Sequence, residues 1–198
     1  MNMKSFPKTL LIPVFVFLWM LSSSFQLSNP SQNPADVFWE ALRKHCGKAY
    51  EGNLAEGMSH PTFNNQKLIL HVRQCDENTI KIPLIVGEDR SRTWILTKKE
   101  GVITLKHDHR HEDGSEDAIT QYGGTSTNTG FPHMQVFPAD AYTAALIDYA
   151  ATNIWWMTLK EDKFTYNLRR IEGNSYVSLE FNLKTPVAAP EAPWGWED

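Results

Sequence analysis

Apolar and polar positions change rhythm early in this chain. Between Asn33 and Gly47, Phe38, Ala41, Leu42, His45 and Cys46 recur at helical spacing, which predicts one short helix with a single sticky face. Its ends are well marked. Asn33 suits the N-cap, Pro34 the first helical position, Asp36 the positive end of the helix dipole and Gly47 the residue just past the end. From there the period is two. Runs at 48–54, 67–74, 79–86, 92–98, 101–111, 117–123, 134–137, 154–160, 163–171 and 175–183 read as short strands. Polar clusters at 76–78, 87–89, 99–101, 161–162 and 172–174 supply hairpin turns, and 57–65 and 124–130 are loops. Pro83 inside its run predicts an edge, a bulge or a non-bonded position. Residues 138–146 (PADAYTAAL) predict a second, late helix of two or three turns. About ten strands at hairpin spacing, with one helix before them and another late, predict a mainly β fold: an antiparallel β-barrel or sandwich.

The start of the chain follows neither rhythm. Lys4 and Lys8 precede an apolar run at 10–21 (LLIPVFVFLWML), and Ser22, Ser23 and Ser24 come after it. This is the make-up of a signal peptide, shorter than the ~20 apolar residues of a spanning helix. The expected organisation is a leader at 1–25, a linker at 26–35, a barrel domain at 36–184 and a Pro/Trp-rich strap at 185–198 whose Trp194 and Trp196 pack on the body. The expected location is periplasmic or extracellular, with no stable membrane span once the leader is gone. Export makes a disulfide between the only two cysteines, Cys46 and Cys75, the favoured reading; it would tie the end of the helix to the second strand. The formal charge is −4, and it becomes −6 without Lys4 and Lys8. A mildly acidic domain with no basic stripe speaks against nucleic acid as a partner.

The candidate chemistry is concentrated in residues 105–117 (LKHDHRHEDGSED), where His107, His109 and His111 alternate beside five acidic side chains. Asp113-Gly114 is the favoured pair for a two-residue type I′ hairpin turn. That turn sets His111 opposite Glu116, Arg110 opposite Asp117 and His107 opposite Thr120. His107, His109, His111, Glu116, Thr120 and Tyr122 then share one face, continuous with apolar Ile103 and Leu105 and so expected to point inward. Two imidazoles two residues apart on a strand are able to grip one ion, so a divalent metal on His107, His109, His111 and Glu116 is one reading. His109, His111 and Glu116 also match the first half of the cupin pattern, but Ile103 stands where that pattern wants glycine. A metal-free acid/base pair, with His109, His111 and Glu116 as catalytic groups, is another. The bland reading is a solvated charged tip with an Arg110–Asp117 ion pair. Arg92 and Trp94 are candidate ligand contacts beside His107, Thr120 and Tyr122. His71, Arg73, Trp155, Trp156 and Tyr166 are weaker candidates for the same interior.

The short helix running into Gly-Lys-Ala-Tyr-Glu-Gly at 47–52 resembles the entry to calycin barrels, the lipocalin and nitrobindin architecture. More broadly, residues 36–196 resemble a family of uncharacterised exported bacterial proteins. That resemblance is carried by FWEAL at 38–42, the 106–117 hairpin, QYGG at 121–124, FPADAYT at 137–143 and PWG at 193–195. It implies a bacterial origin and brings no assigned activity. Three functions follow as expectations. The first is an exported calycin-like barrel holding a small or lipid-like ligand, with the histidine-rich hairpin at its mouth. The second is a metal-dependent or acid/base enzyme using the histidine cluster, and the third an envelope interaction module with no pocket. If the histidines face a cavity, ligand affinity is expected to change near pH 6–7, roughly where imidazole titrates.

Overall fold

A computed structural model of the chain describes Met1, residues 32–173 and residues 175–197. The leader expected at 1–25 (Met1 apart) and the linker up to residue 31 lie outside the described residues. Helix α1 runs from Pro34 to Arg43, two residues inside the span given to the linker. Its N-cap is Asn33, whose side chain accepts the Ala35 N–H, and Gly47 takes the positive φ (+76°) that ends the turn beyond it. Phe38, Trp39 and Leu42 are buried on its inner face.

The strands are β1 (Ala49–Leu54), β2 (Leu68–His71), β3 (Gln74–Cys75), β4 (Thr79–Val86), β5 (Asp89–Lys99), β6 (Val102–His109), β7 (Tyr122–Thr125), β8 (Met134–Pro138), β9 (Asn153–Lys160), β10 (Lys163–Arg170) and β11 (Tyr176–Asn182). Ten of them follow one another in the order β7-β6-β5-β4-β2-β1-β11-β10-β9-β8, every pair antiparallel, and β3 pairs only with β4. The result is a nearly closed antiparallel barrel of ten strands. Pro83 falls between the segment of β4 that pairs with β2 and the segment that pairs with β3, next to a register shift between Leu84 and Val86. A missing N–H is harmless where no second ladder is formed.

Period-two alternation builds the core. Ile80, Ile82, Leu84, Trp94, Leu96, Ile103, Leu105, Trp155, Met157, Phe164, Leu179 and Phe181 all turn into the barrel. Closure is completed where β7 and β8 meet, without a regular ladder. Asp140 N–H donates to the Gly123 carbonyl (2.9 Å), and the Thr143 hydroxyl bonds both the N–H (2.7 Å) and the carbonyl (2.8 Å) of Gly123. Helix α2 (Ala141–Leu146), capped by the Asp140 side chain, sits at this seam. It is shorter than the predicted late helix, because Pro138 ends β8 and a 3-10 turn over Asp148–Ala150 follows Leu146.

The two ends of the barrel differ. At one, α1 lies beside the β5–β6 turn: Lys98 pairs with Asp36 (2.7 Å) and Asn33 reaches the Gly101 carbonyl (3.4 Å). At the other end of the same two strands lie Arg92, Trp94, His107 and His109. Cys46 and Cys75 form a disulfide with 6.2 Å between their Cα atoms, fastening the chain after α1 to β3. Its 29-residue separation predicts about 3.6 kcal/mol of stabilisation. Replacing both cysteines with serine should lower the guanidinium midpoint accordingly, and an unchanged midpoint would rule out that contribution. The C-terminal segment lies against the body. Val187 bridges Ala49, Trp194 N–H donates to the Arg90 carbonyl, and Lys81 lies over the Trp196 ring at 4.3 Å.

The hairpin itself differs from the expectation. Its tip is not a two-residue I′ turn. Gly114 N–H donates to the His111 carbonyl and His111 N–H to the Ser115 carbonyl, and at the tip only Gly114 has a positive φ (+85°). That is a three-residue loop with glycine in the left-handed position. Arg110 faces Glu116 and His107 faces Tyr122, rather than Asp117 and Thr120. Local polar bonds explain the slip: Asp117 Oδ1 accepts the Ile119 N–H, Thr120 Oγ1 takes the His109 N–H, and Gln121 adopts φ +56°. These side chains satisfy backbone groups that a continuous ladder would have used. Arg110 pairs with buried Asp108 (2.9 Å) and with Glu116 (3.5 Å), not with Asp117.

Candidate functional site

The register of β5 on β6 sets Arg92 beside His109 and Trp94 beside His107 on the inner face. β7 adds Tyr122 next to His107, β9 adds Trp155 and β10 adds Tyr166. Because the hydrophobic filling stops at this level, a cavity of about 380 Å³ remains, lined by these seven side chains among others. It reaches the surface, since half-exposed Ile119 and exposed Tyr149 form part of its wall. The volume is at the small end of the ~300–1,000 Å³ usual for ligand pockets. The interior is therefore not filled by side chains, as a module without a pocket would require.

The deep wall is aromatic and internally satisfied. Trp94 stacks on Tyr166 at 4.2 Å between ring centres, and His107 stacks on Tyr122 at 4.5 Å. His107 Nδ1 lies 3.0 Å from the Tyr122 carbonyl, which can only accept, so that nitrogen carries the proton. Its Nε2 then accepts from the Tyr166 hydroxyl at 2.7 Å. Tyr122 Oη and His109 Nε2 are 3.0 Å apart and form a second tyrosine–histidine pair. Burial pushes His107 down to about 3, outweighing the Tyr122 carbonyl bond, which acts the other way. Burial and then the Arg92 guanidinium bring His109 to about 4. Burial also pushes the Tyr122 phenol up to about 12 and the Tyr166 phenol well above its ordinary value. Both histidines are thus neutral and both phenols protonated at physiological pH, so the change near pH 6–7 expected for free imidazole does not apply to them.

The mouth is more polar. Arg92 is tied to Asp89, and Asp117 is the only carboxylate on the cavity wall among the described residues. From the β1–β2 loop come Phe63 and His60; His60 Nδ1 accepts the Thr62 N–H (3.3 Å), leaving the ring proton on Nε2. Burial and then Arg92 lower the His60 pKa. Arg170 donates from Nε to Asn153 Oδ1 (3.1 Å) and lies over the Tyr149 ring at 4.5 Å.

The expected site residues are divided by this geometry. His107, His109, Tyr122, Arg92 and Trp94 are brought together, and Trp155 and Tyr166 join them. His111 and Glu116 are exposed beyond the barrel and do not line the cavity, because the alternation that points His107 and His109 inward ends where β6 ends. The proposed catalytic set of His109, His111 and Glu116 is therefore not assembled. Nor is the four-residue metal set: among the described residues, no three His, Cys, Asp or Glu side chains stand close enough to hold one ion. Thr120 is buried but accepts the His109 backbone N–H and does not line the cavity. His71 is buried away from it, and Trp156 stacks on Tyr176 away from it. Sequence reading missed His60, Phe63, Tyr149 and Arg170. The first three come from connecting segments that carry no periodic signal, and Arg170 ends a strand like any exposed arginine.

Comparisons with known protein families, with curated proteins and with solved structures find no match to this chain. No helix among the described residues is long and apolar enough to cross a membrane.

Proposed function

We propose that this protein is an exported calycin-like barrel that binds a small, largely apolar or aromatic ligand, and that the inner half of the histidine-rich hairpin forms part of its binding wall. The observation that carries this reading is a ring-lined cavity of about 380 Å³ whose deepest polar atoms already satisfy one another. A wall of that kind offers a ligand contact area and exclusion of water, with little demand for matching polar groups. The signal-peptide-like start and the Cys46–Cys75 disulfide support the exported part of the reading, as does the resemblance to exported bacterial proteins.

Native mass spectrometry of the protein purified from the compartment it is exported to should reveal an adduct that organic extraction removes. Leu168→Trp, which places a large ring in the cavity, should abolish the adduct while the thermal transition is kept. Protein without an adduct, whose effect on anilinonaphthalene sulfonate fluorescence is the same with and without Leu168→Trp, would refute the proposal.

A further inference from the structure

The charge on the cavity wall is uneven. With the histidines neutral, the charged side chains there are Arg92, Arg170 and Asp117. Arg92 is neutralised by Asp89, which stands outside the wall, and Asp117 spends Oδ1 on the Ile119 N–H. Arg170 has no carboxylate partner among the described residues. Its Nε is held by Asn153 and its plane by the Tyr149 ring, which orients the guanidinium without neutralising it. The His60 ring adds a proton-bearing Nε2 to the wall of the same cavity. Donors are therefore in excess at the mouth, and the aromatic floor offers no unpaired donor from Tyr166 or His107.

Resting on the ligand-binding reading above, we propose that the cavity takes an amphiphilic anion, an aromatic or unsaturated acid that enters ring first and leaves its carboxylate at the mouth on Arg170. The planar fork of the guanidinium matches a carboxylate in two parallel charge-assisted hydrogen bonds. The stacking surfaces of Trp94, Trp155 and Tyr166 suit a flat apolar body. The opposite orientation would bury a carboxylate beside neutral His107 and two protonated phenols, where the cation on that side, Arg92, is already paired with Asp89.

The test is calorimetric titration of the full exported protein with naphthoic acid and with naphthamide, which share a ring system and differ in charge. The acid should bind about tenfold or more tightly than the amide, and its advantage should shrink as salt is raised. Arg170→Gln should bring the acid down to the affinity of the amide and leave the amide unchanged. Equal binding of acid and amide to the unsubstituted protein would overturn the anion proposal and leave the aromatic pocket standing. A loss of both on Arg170→Gln would assign Arg170 a purely structural role and overturn it too. Binding of neither compound at millimolar concentration would count against the ligand-binding reading itself.

Discussion

The free energy of unfolding should fall by on the order of 5 kcal/mol between pH 6.5 and pH 4, most of it through His107 and His109. Both are held neutral by burial, at about 3 and about 4, whereas in the unfolded chain each titrates near 6.5. The unfolded state therefore binds protons first. Stability from these residues is complete above the unfolded value and is lost as pH falls from there toward the folded values, at about 1.36 kcal/mol per pH unit per group. A loss of this size is comparable to the whole stability of many domains, so acid unfolding should begin well above the ordinary carboxylate range. Asp89 and Asp140 act lower down. Burial raises each, but hydrogen bonds from Ser91 and Arg92 to Asp89, and from Lys106 and Thr143 to Asp140, outweigh it and leave both carboxyls below their usual value. Guanidinium unfolding at a series of pH values measures the slope, and His107→Gln should reduce proton uptake on unfolding by about one. Ligand affinity, by contrast, should carry no titration step from His107 or His109 between pH 8 and about 5.5, because neither ring changes charge there. A stability curve without slope between pH 6.5 and 4 would show that the two imidazoles are not buried neutral in the barrel.

Gly124→Ala should destabilise the protein by about 3 kcal/mol, at the upper end of overpacking costs. At the seam β7 runs so close to the chain leaving β8 that an added methyl at Gly124 would be driven into the Pro138 carbonyl oxygen, with the Asp140 nitrogen 3.4 Å away. These are backbone atoms, fixed by the Gly123–Asp140 and Gly123–Thr143 hydrogen bonds, so no side-chain rotation relieves the clash. The strands must part, and the barrel opens at the β7–β8 junction, where no regular ladder holds the edges together. A drop of about 6–12 °C in the melting temperature is the expected size for a chain of this length. Faster hydrogen exchange of the Asp140 amide should accompany it. Thr125→Ala, an exposed change on the same strand, is the control and should shift the transition by less than about 2 °C. A Gly124→Ala protein as stable as that control would mean that β7 and β8 do not abut.

The seam and the hairpin show how far residue patterns carry. Gly123-Gly124 looks in the sequence like a pair that permits a bend; its role is to let two barrel edges approach, and that partner lies fourteen residues on, at Pro138. Alternation placed Ile103, Leu105, His107 and His109 on one inward face, and the structure agrees. It carried the same face on to His111 and Glu116, where it fails. Alternation describes a side chain's direction only while the strand lasts, and β6 stops at His109 because Asp117 and Thr120 offer the backbone other partners.

Local chemistry therefore decided the helix caps, nearly every strand and the β-rich class, because hydrophobic period, turn residues and caps act within a few positions of one another. The Cys46–Cys75 pairing followed from there being only two cysteines. Only the folded chain decided that the hydrophobic filling ends at the level of Trp94 and His107, that Tyr166 meets His107, and that His60, Tyr149 and Arg170 form the mouth. Those neighbours are set by barrel closure and loop placement. Burial, which makes the two histidines neutral, is a property of that enclosure and not of the residues that carry the rings.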